Sequence, residues 1–134
     1  MKPTHPVELI VCAIATQEGD FLPGSIPAKQ NNPGDLRYAG QIGARRPDGF
    51  VGPVRAIEPV AVFDTLEHGV IALFRQVWLQ VAMGQTVRQI IFQFAPPNEN
   101  NTGKYVSNLL AWTALPADVP VSHLLPALVD LAQK

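Results

Sequence analysis

Glu18 is the residue of this chain best placed to do acid chemistry. It closes an apolar run, Val7-Glu8-Leu9-Ile10-Val11-Cys12-Ala13-Ile14-Ala15-Thr16-Gln17-Glu18, and Gly19 follows it. On a helix Glu18 lies four residues beyond Ile14 and seven beyond Val11, so it shares the face that carries those apolar side chains. Desolvation there, together with the negative end of the helix dipole, favours the neutral carboxyl and raises its pKa. A carboxylic acid that stays protonated near neutral pH can deliver a proton to a leaving oxygen, the first requirement of glycosidic-bond cleavage.

Two-carboxylate glycosidases need a partner at a defined separation from the acid. Asp20, Asp35, Asp64 and Glu99 are the candidates. Asp20 sits two residues from Glu18, Asp35 in a Pro-Gly-Asp turn, Asp64 at a helix cap and Glu99 in a polar loop. None stands out, which suits chemistry with one acid. Asn31, Asn32, Asn98, Asn100 and Asn101 cluster in two loops, and their amides suit both sugar hydroxyls and ordinary turn and cap chemistry. His5, His68 and His123 are too dispersed for a metal triad, so no metal and no cofactor are expected.

The elements that must position these residues read as helices. A first helix is expected from Pro6 or Val7 to Glu18, with proline suited to its first turn and Gly19 to its stop. Residues 19–60 are polar and punctuated by glycine and proline, which predicts loops with a short hairpin and a turn at Arg45-Arg46-Pro47-Asp48-Gly49. Val60 to Phe63 reads as a brief strand or an extended lead-in. Asp64-Thr65-Leu66-Glu67 reads as a capping box with Asp64 as the cap. It opens a helix to Met83, stopped by Gly84, on which Leu66, Val70, Leu73, Phe74, Val77 and Val81 recur at core spacing. This is expected to be the central helix, with Trp78 and Trp112 as core residues.

Thr86-Val87-Arg88-Gln89 is a second capping box, opening a short helix to Phe94 that Pro96-Pro97 ends. A helix from Gly103 to Ala114, capped by Asn101 or Thr102, and a last one within Ser122 to Gln133 complete the reading. The expected fold is mainly α (α+β): a single domain over residues 1–134, with about five helices and one irregular insertion.

Composition narrows the function classes. At 134 residues, 47% apolar and 16% charged, the chain has the make-up of one globular domain. Its formal charge of −1, with scattered basic residues, gives no stripe for nucleic acid. Cys12 is the single cysteine, which leaves no internal disulfide, and it is expected to be a small buried helix residue. The apolar run after Lys2 is too short and too interrupted for a signal peptide, and no stretch is long enough to span a membrane. Synthesis in the cytoplasm, as a monomer, is expected.

Four segments in order carry a family likeness: Ala15-Thr16-Gln17-Glu18-Gly19; Asn31-Asn32-Pro33-Gly34-Asp35-Leu36-Arg37; Phe63-Asp64-Thr65-Leu66-Glu67-His68-Gly69; and Ala95 to Thr102 with Tyr105-Val106. Over residues 7–115 the chain resembles the lysozyme-like superfamily, and within it the small lytic-transglycosylase-like proteins of phages, prophages and bacteria. The resemblance implies a lysozyme-like fold with a cleft between a helical lobe and the insertion. It makes Glu18 the single catalytic glutamate and sets Tyr105 beside it, to hydrogen-bond the acid or to pack as a core tyrosine. It assigns substrate contacts to Asn31, Asn32, Gln41, Asn98 and Asn100. Better-known members read Glu-Ser where this chain has Glu18-Gly19, and their Gly-Leu-Met-Gln segment is replaced here by residues 31–37 and Gln41.

The implied partner is a peptidoglycan glycan strand, reached after lysis, secretion or delivery by a virus particle. The implied activity is that of a lytic transglycosylase, or of a lysozyme where water takes the place of the sugar hydroxyl. Chitin is a further substrate for the same acid. The alternative is an inert lysozyme-fold protein, either a virion or assembly component or a binder of cell-wall glycan.

Overall fold

A computed structural model describes residues 5–18, 30–53, 56–94 and 102–125, except for the side chains of Glu18 and Thr102. Among these residues the chain is mainly helical with one two-stranded sheet. The order is α1 (Pro6–Glu18), β1 (Ala44–Arg45), β2 (Val62–Phe63), α2 (Leu66–Ala82), α3 (Val87–Phe94), α4 (Thr102–Thr113) and a 3-10 turn (Val121–Leu124).

The first helix starts where proline allows it. Pro6 needs no hydrogen-bond partner for its nitrogen, and the His5 ring accepts from the Val7 N–H at 3.1 Å, satisfying one of the free donors of the first turn. Val7, Ile10, Val11, Ala13, Ile14 and Ala15 are all buried. Helix α1 packs on α2, α3 and α4, so it, and not the longer α2, is the hub of the helical core. Only the stripe of Glu8, Cys12 and Thr16, spaced four apart, faces outward. That spacing is why Cys12 is exposed and not buried as expected. Partial desolvation of the thiol, reinforced by the neighbouring Glu8 carboxylate, holds its pKa above the ordinary value.

Helix α2 begins one residue later than the sequence suggests. Thr65, in extended conformation, is the N-cap and its hydroxyl accepts from the His68 N–H at 3.1 Å. Asp64 instead turns its carboxylate to the His68 ring. Leu73, Val77 and Val81 form the buried stripe, whereas Leu66, in the first turn, is exposed. Trp78 and Trp112 are 42% and 49% exposed, against the expectation of core positions. Trp78 lies at the margin of the α2 stripe, with its ring tilted against His5 at 5.5 Å. The capping box of α3 forms as read: Gln89 N–H donates to the Thr86 hydroxyl at 3.2 Å and Thr86 N–H to the Gln89 side chain at 2.9 Å. The C-terminal element is a 3-10 turn at Val121–Leu124, and the rest of the expected last helix lies outside the described residues.

The insertion is held by hydrogen bonds more than by apolar burial. β1 and β2 pair antiparallel, Ala44 with Phe63 and Arg45 with Val62, and an isolated bridge joins Arg37 to Val60. Arg46 pairs with buried Glu58, stacks over the Tyr38 ring at 5.0 Å and donates to Gly52 O at 2.8 Å. Ala61, Phe63 and Ala72 form a small second core, which Leu36 joins to the main one.

Asn32 ties this insertion from inside. It is 0% exposed; its amide donates to Leu36 O at 2.9 Å and to Ala61 O at 2.8 Å, and its oxygen accepts from Leu36 N at 2.9 Å. Asn31, at φ 52°, donates to Phe63 O at 3.1 Å. Its carbonyl lies so close on Gly69 of α2 that a β-carbon there would land on the Asn31 oxygen. Asn32→Ala removes its three side-chain hydrogen bonds; of the backbone partners, Leu36 O alone keeps another donor, the Ala61 N–H, and the cost expected in urea unfolding is about 2–3 kcal/mol. Gly69→Ala, which in an open helix would gain about 1 kcal/mol, is expected here to lose about 1–3 kcal/mol in the same assay, because the loop must lift.

Candidate functional site

Glu18 is the last residue of α1. The turn that carries it is fastened sideways: Asn108 of α4 donates to the Gln17 side chain at 3.0 Å. Val11 and Ile14, which share the face of position 18, are buried. One turn before Asn108 on α4 stands Tyr105, 4% exposed and packed in the main core with Val106 and Leu109. The helix carrying Tyr105 therefore runs against the end of the helix carrying Glu18.

The proposed substrate residues fall into three groups. Asn31 and Asn32 lie together at the start of the insertion, but their amides are committed to Phe63, Leu36 and Ala61. Gln41 closes its own turn, donating to Arg37 O at 2.9 Å and accepting from Ala39 N at 2.8 Å, and it also lines a cleft. Asn98 and Asn100 lie outside the described residues.

That cleft, about 330 Å³, separates the insertion from helices α2 and α3. One wall is the turn from Gly34 to Gln41; the other is Gln76 and Gln80 of α2 with Gln93 and Phe94 of α3. Its size falls at the lower end of small-molecule sites, roughly 300–1,000 Å³. The amides behind it are linked: Gln80 donates to Gln93 at 2.8 Å, and Gln93 to Gln85 at 3.3 Å. Gln76, Gln80, Gln93 and Asn108 did not emerge as site residues from the sequence. The legible signal was the pair Gln76 and Gln80, four apart inside an apolar helix, where polar residues on one face need a reason.

Electrostatics around the hairpin centre on Asp64 and His68. The His68 ring beside Asp64 holds that carboxyl below its usual range, helped by the Thr65 backbone. Gly43, at φ 78°, passes so close that a β-carbon would strike both side chains. Among the described residues no group of three histidine, cysteine or carboxylate side chains is arranged to hold a metal, and no helix is long and apolar enough to cross a membrane.

These observations define the class of the molecule: a mainly helical fold with a small antiparallel sheet and an amide-lined cleft between them. Comparison with family models, with curated proteins and with solved structures gives no match to this chain.

A depressed carboxyl pKa contributes stability that is present above the unfolded value and is lost as pH falls through the folded one. Asp64 should therefore titrate below the ordinary carboxylate range in carbon-detected NMR, and His68→Ala should move it back up. An unchanged midpoint in the variant would remove His68 as the cause.

Proposed function

We propose that this chain is a peptidoglycan-cleaving enzyme of the glycosidase type, acting as a lytic transglycosylase with Glu18 as its single acid and base. The observation that carries the reading is the position of Glu18: the last residue of a helix buried on three sides, with the preceding residue bonded to the helix of Tyr105. A position so fixed suits a group that must meet one oxygen of a bound substrate. The order of the four sequence segments supports the same reading.

In this mechanism the protonated Glu18 gives its proton to the oxygen linking N-acetylmuramyl to N-acetylglucosaminyl units, and the bond to the muramyl C1 breaks. The acetamido carbonyl of the same sugar stabilises the cationic centre, so no protein nucleophile is needed. The Glu18 carboxylate then takes the proton of the muramyl 6-hydroxyl as that oxygen closes on C1 to give a 1,6-anhydro ring. The acid is restored and no water is consumed. Of the candidate partner carboxylates among the described residues, Asp64 is engaged with His68, whereas Asp35 stands in the lining of the cleft. Access to the wall would follow lysis, secretion or virion delivery.

Mass spectrometry of soluble products from purified peptidoglycan tests the reading. Muropeptides lighter by one water than the hydrolysed ones are expected, and Glu18→Gln should lower their release at least about hundredfold with the circular dichroism unchanged. Ordinary reducing ends would replace the transglycosylase by a lysozyme. An absence of products from folded protein would overturn the enzymatic reading in favour of an inert structural or glycan-binding role.

A further inference from the structure

Helix α2 is apolar on the side that the core does not use. Leu73 and Val77 belong to the main core, and Gln80 is buried on the same side. At about 100° per residue, Ile71, Arg75, Trp78 and Ala82 fall within an arc of about 60° on the opposite side, along about 16 Å of helix. All four are exposed, as are Leu79 and Met83 on the flank. The apolar exposure is large: 53% for Ile71, 50% for Leu79 and 68% for Met83. A helix that is apolar on both faces is ordinarily covered on both. Arg75 stands in the middle of this face, and among the described residues it has no hydrogen-bond or ion-pair partner.

We infer that this face is an interface between two copies of the chain, packed antiparallel about a two-fold axis at the level of Gln76 and Val77. The face is self-complementary in that arrangement. The axis sets Ile71 level with the partner's Ala82, Phe74 with the partner's Leu79, and Arg75 with the partner's Trp78. A large apolar side chain then meets a small one, and each cation meets an indole, the aromatic ring that attracts cations most strongly. A parallel pair would instead set Arg75 against Arg75, two like charges in a partly desolvated contact. A lipid surface fits less well. Exposed Glu67 lies on the same side of α2, so Arg75 is offset and the face lacks the basic rim that holds anionic headgroups.

Six side chains on one helix bury on the order of 500 Å² per copy, less than the roughly 800 Å² of a standard interface. The pair is therefore weak, with a dissociation constant on the order of 10–100 µM. Gln76 and Gln80 leave α2 more than about 100° from the centre of this face, so pairing leaves the cleft open. The inference is independent of the function proposed above.

Sedimentation equilibrium of the full chain, from about 1 to about 500 µM, tests it. The mean mass should rise reversibly from one chain towards two. Arg75→Glu and Ile71→Lys, both at exposed positions, should each weaken pairing at least about tenfold with the urea midpoint unchanged. Arg75→Lys, which keeps the cation, should weaken it less. In NMR spectra the indole N–H signal of Trp78 should move with concentration, while that of Trp112, exposed on α4, stays in place. A mean mass of one chain at every concentration would overturn the inference, whether or not the protein then sediments with vesicles of anionic phospholipid. So would association that both charge variants leave intact, or concentration shifts at Trp112 without any at Trp78.

Discussion

The buried side chain of Asn32 is the interaction on which the arrangement of the two halves depends. The insertion is rich in glycine and proline and leaves Ile42, Phe50, Val51 and Ile57 exposed, so it holds itself on the helices only weakly by burial. A single amide supplies what is missing. By bonding both Leu36 and Ala61, Asn32 closes the loop from residue 32 to 36 onto the segment that becomes β2. Leu36 is thereby set where it touches both cores, and the neighbouring Asn31 carbonyl settles on Gly69. Hydrogen bonds of this kind gain in strength where water is excluded, and Asn32 has no exposed surface.

The helical half has a different logic. Helix α1 is apolar on three sides, and such a helix is stable in water only when neighbours cover all three. Helices α2, α3 and α4 do so, which makes the direction and the end of α1 a property of the whole core. The Gln17–Asn108 bond finishes the work at the last turn. Whatever Glu18 does, its backbone is positioned by the most cooperative part of the molecule.

Where local chemistry decides the structure, the sequence was readable. Pro6, the Thr86–Gln89 box and the apolar spacing of α2 gave helix positions that the structure retains within a residue or two. The strand at Val62–Phe63 falls where the sequence reads as a brief strand or an extended lead-in, but its pairing with Ala44–Arg45 joins segments that no local turn connects. What was not readable depended on neighbours distant in the chain. Asp64 looked like the cap until His68 drew its carboxylate away and left the role to Thr65. Cys12 and the two tryptophans were assigned from residue-type habits, which carry no knowledge of which side of a helix finds a partner. At the candidate site the sequence singled out loop asparagines, because loops commonly hold binding groups, but Asn31 and Asn32 spend their amides on the fold. Gln76, Gln80 and Gln93 of the cleft sit on helices, and only the common core of α2 and α3 brings them together.

The contrast between the two walls of the cleft has a dynamic consequence. One wall is formed by two helices that are joined through the main core and the Gln80–Gln93 bond. The other is a loop fastened by the Asn32 amide, the Arg46–Glu58 pair and a few backbone bonds. Local opening free energies follow buried apolar contact, so the insertion wall separates from the helices at lower cost than the helices separate from each other. A ligand entering the cleft therefore meets one fixed surface, which carries Gln76, Gln80 and Gln93, and one adjustable surface, which carries the turn from Gly34 to Gln41.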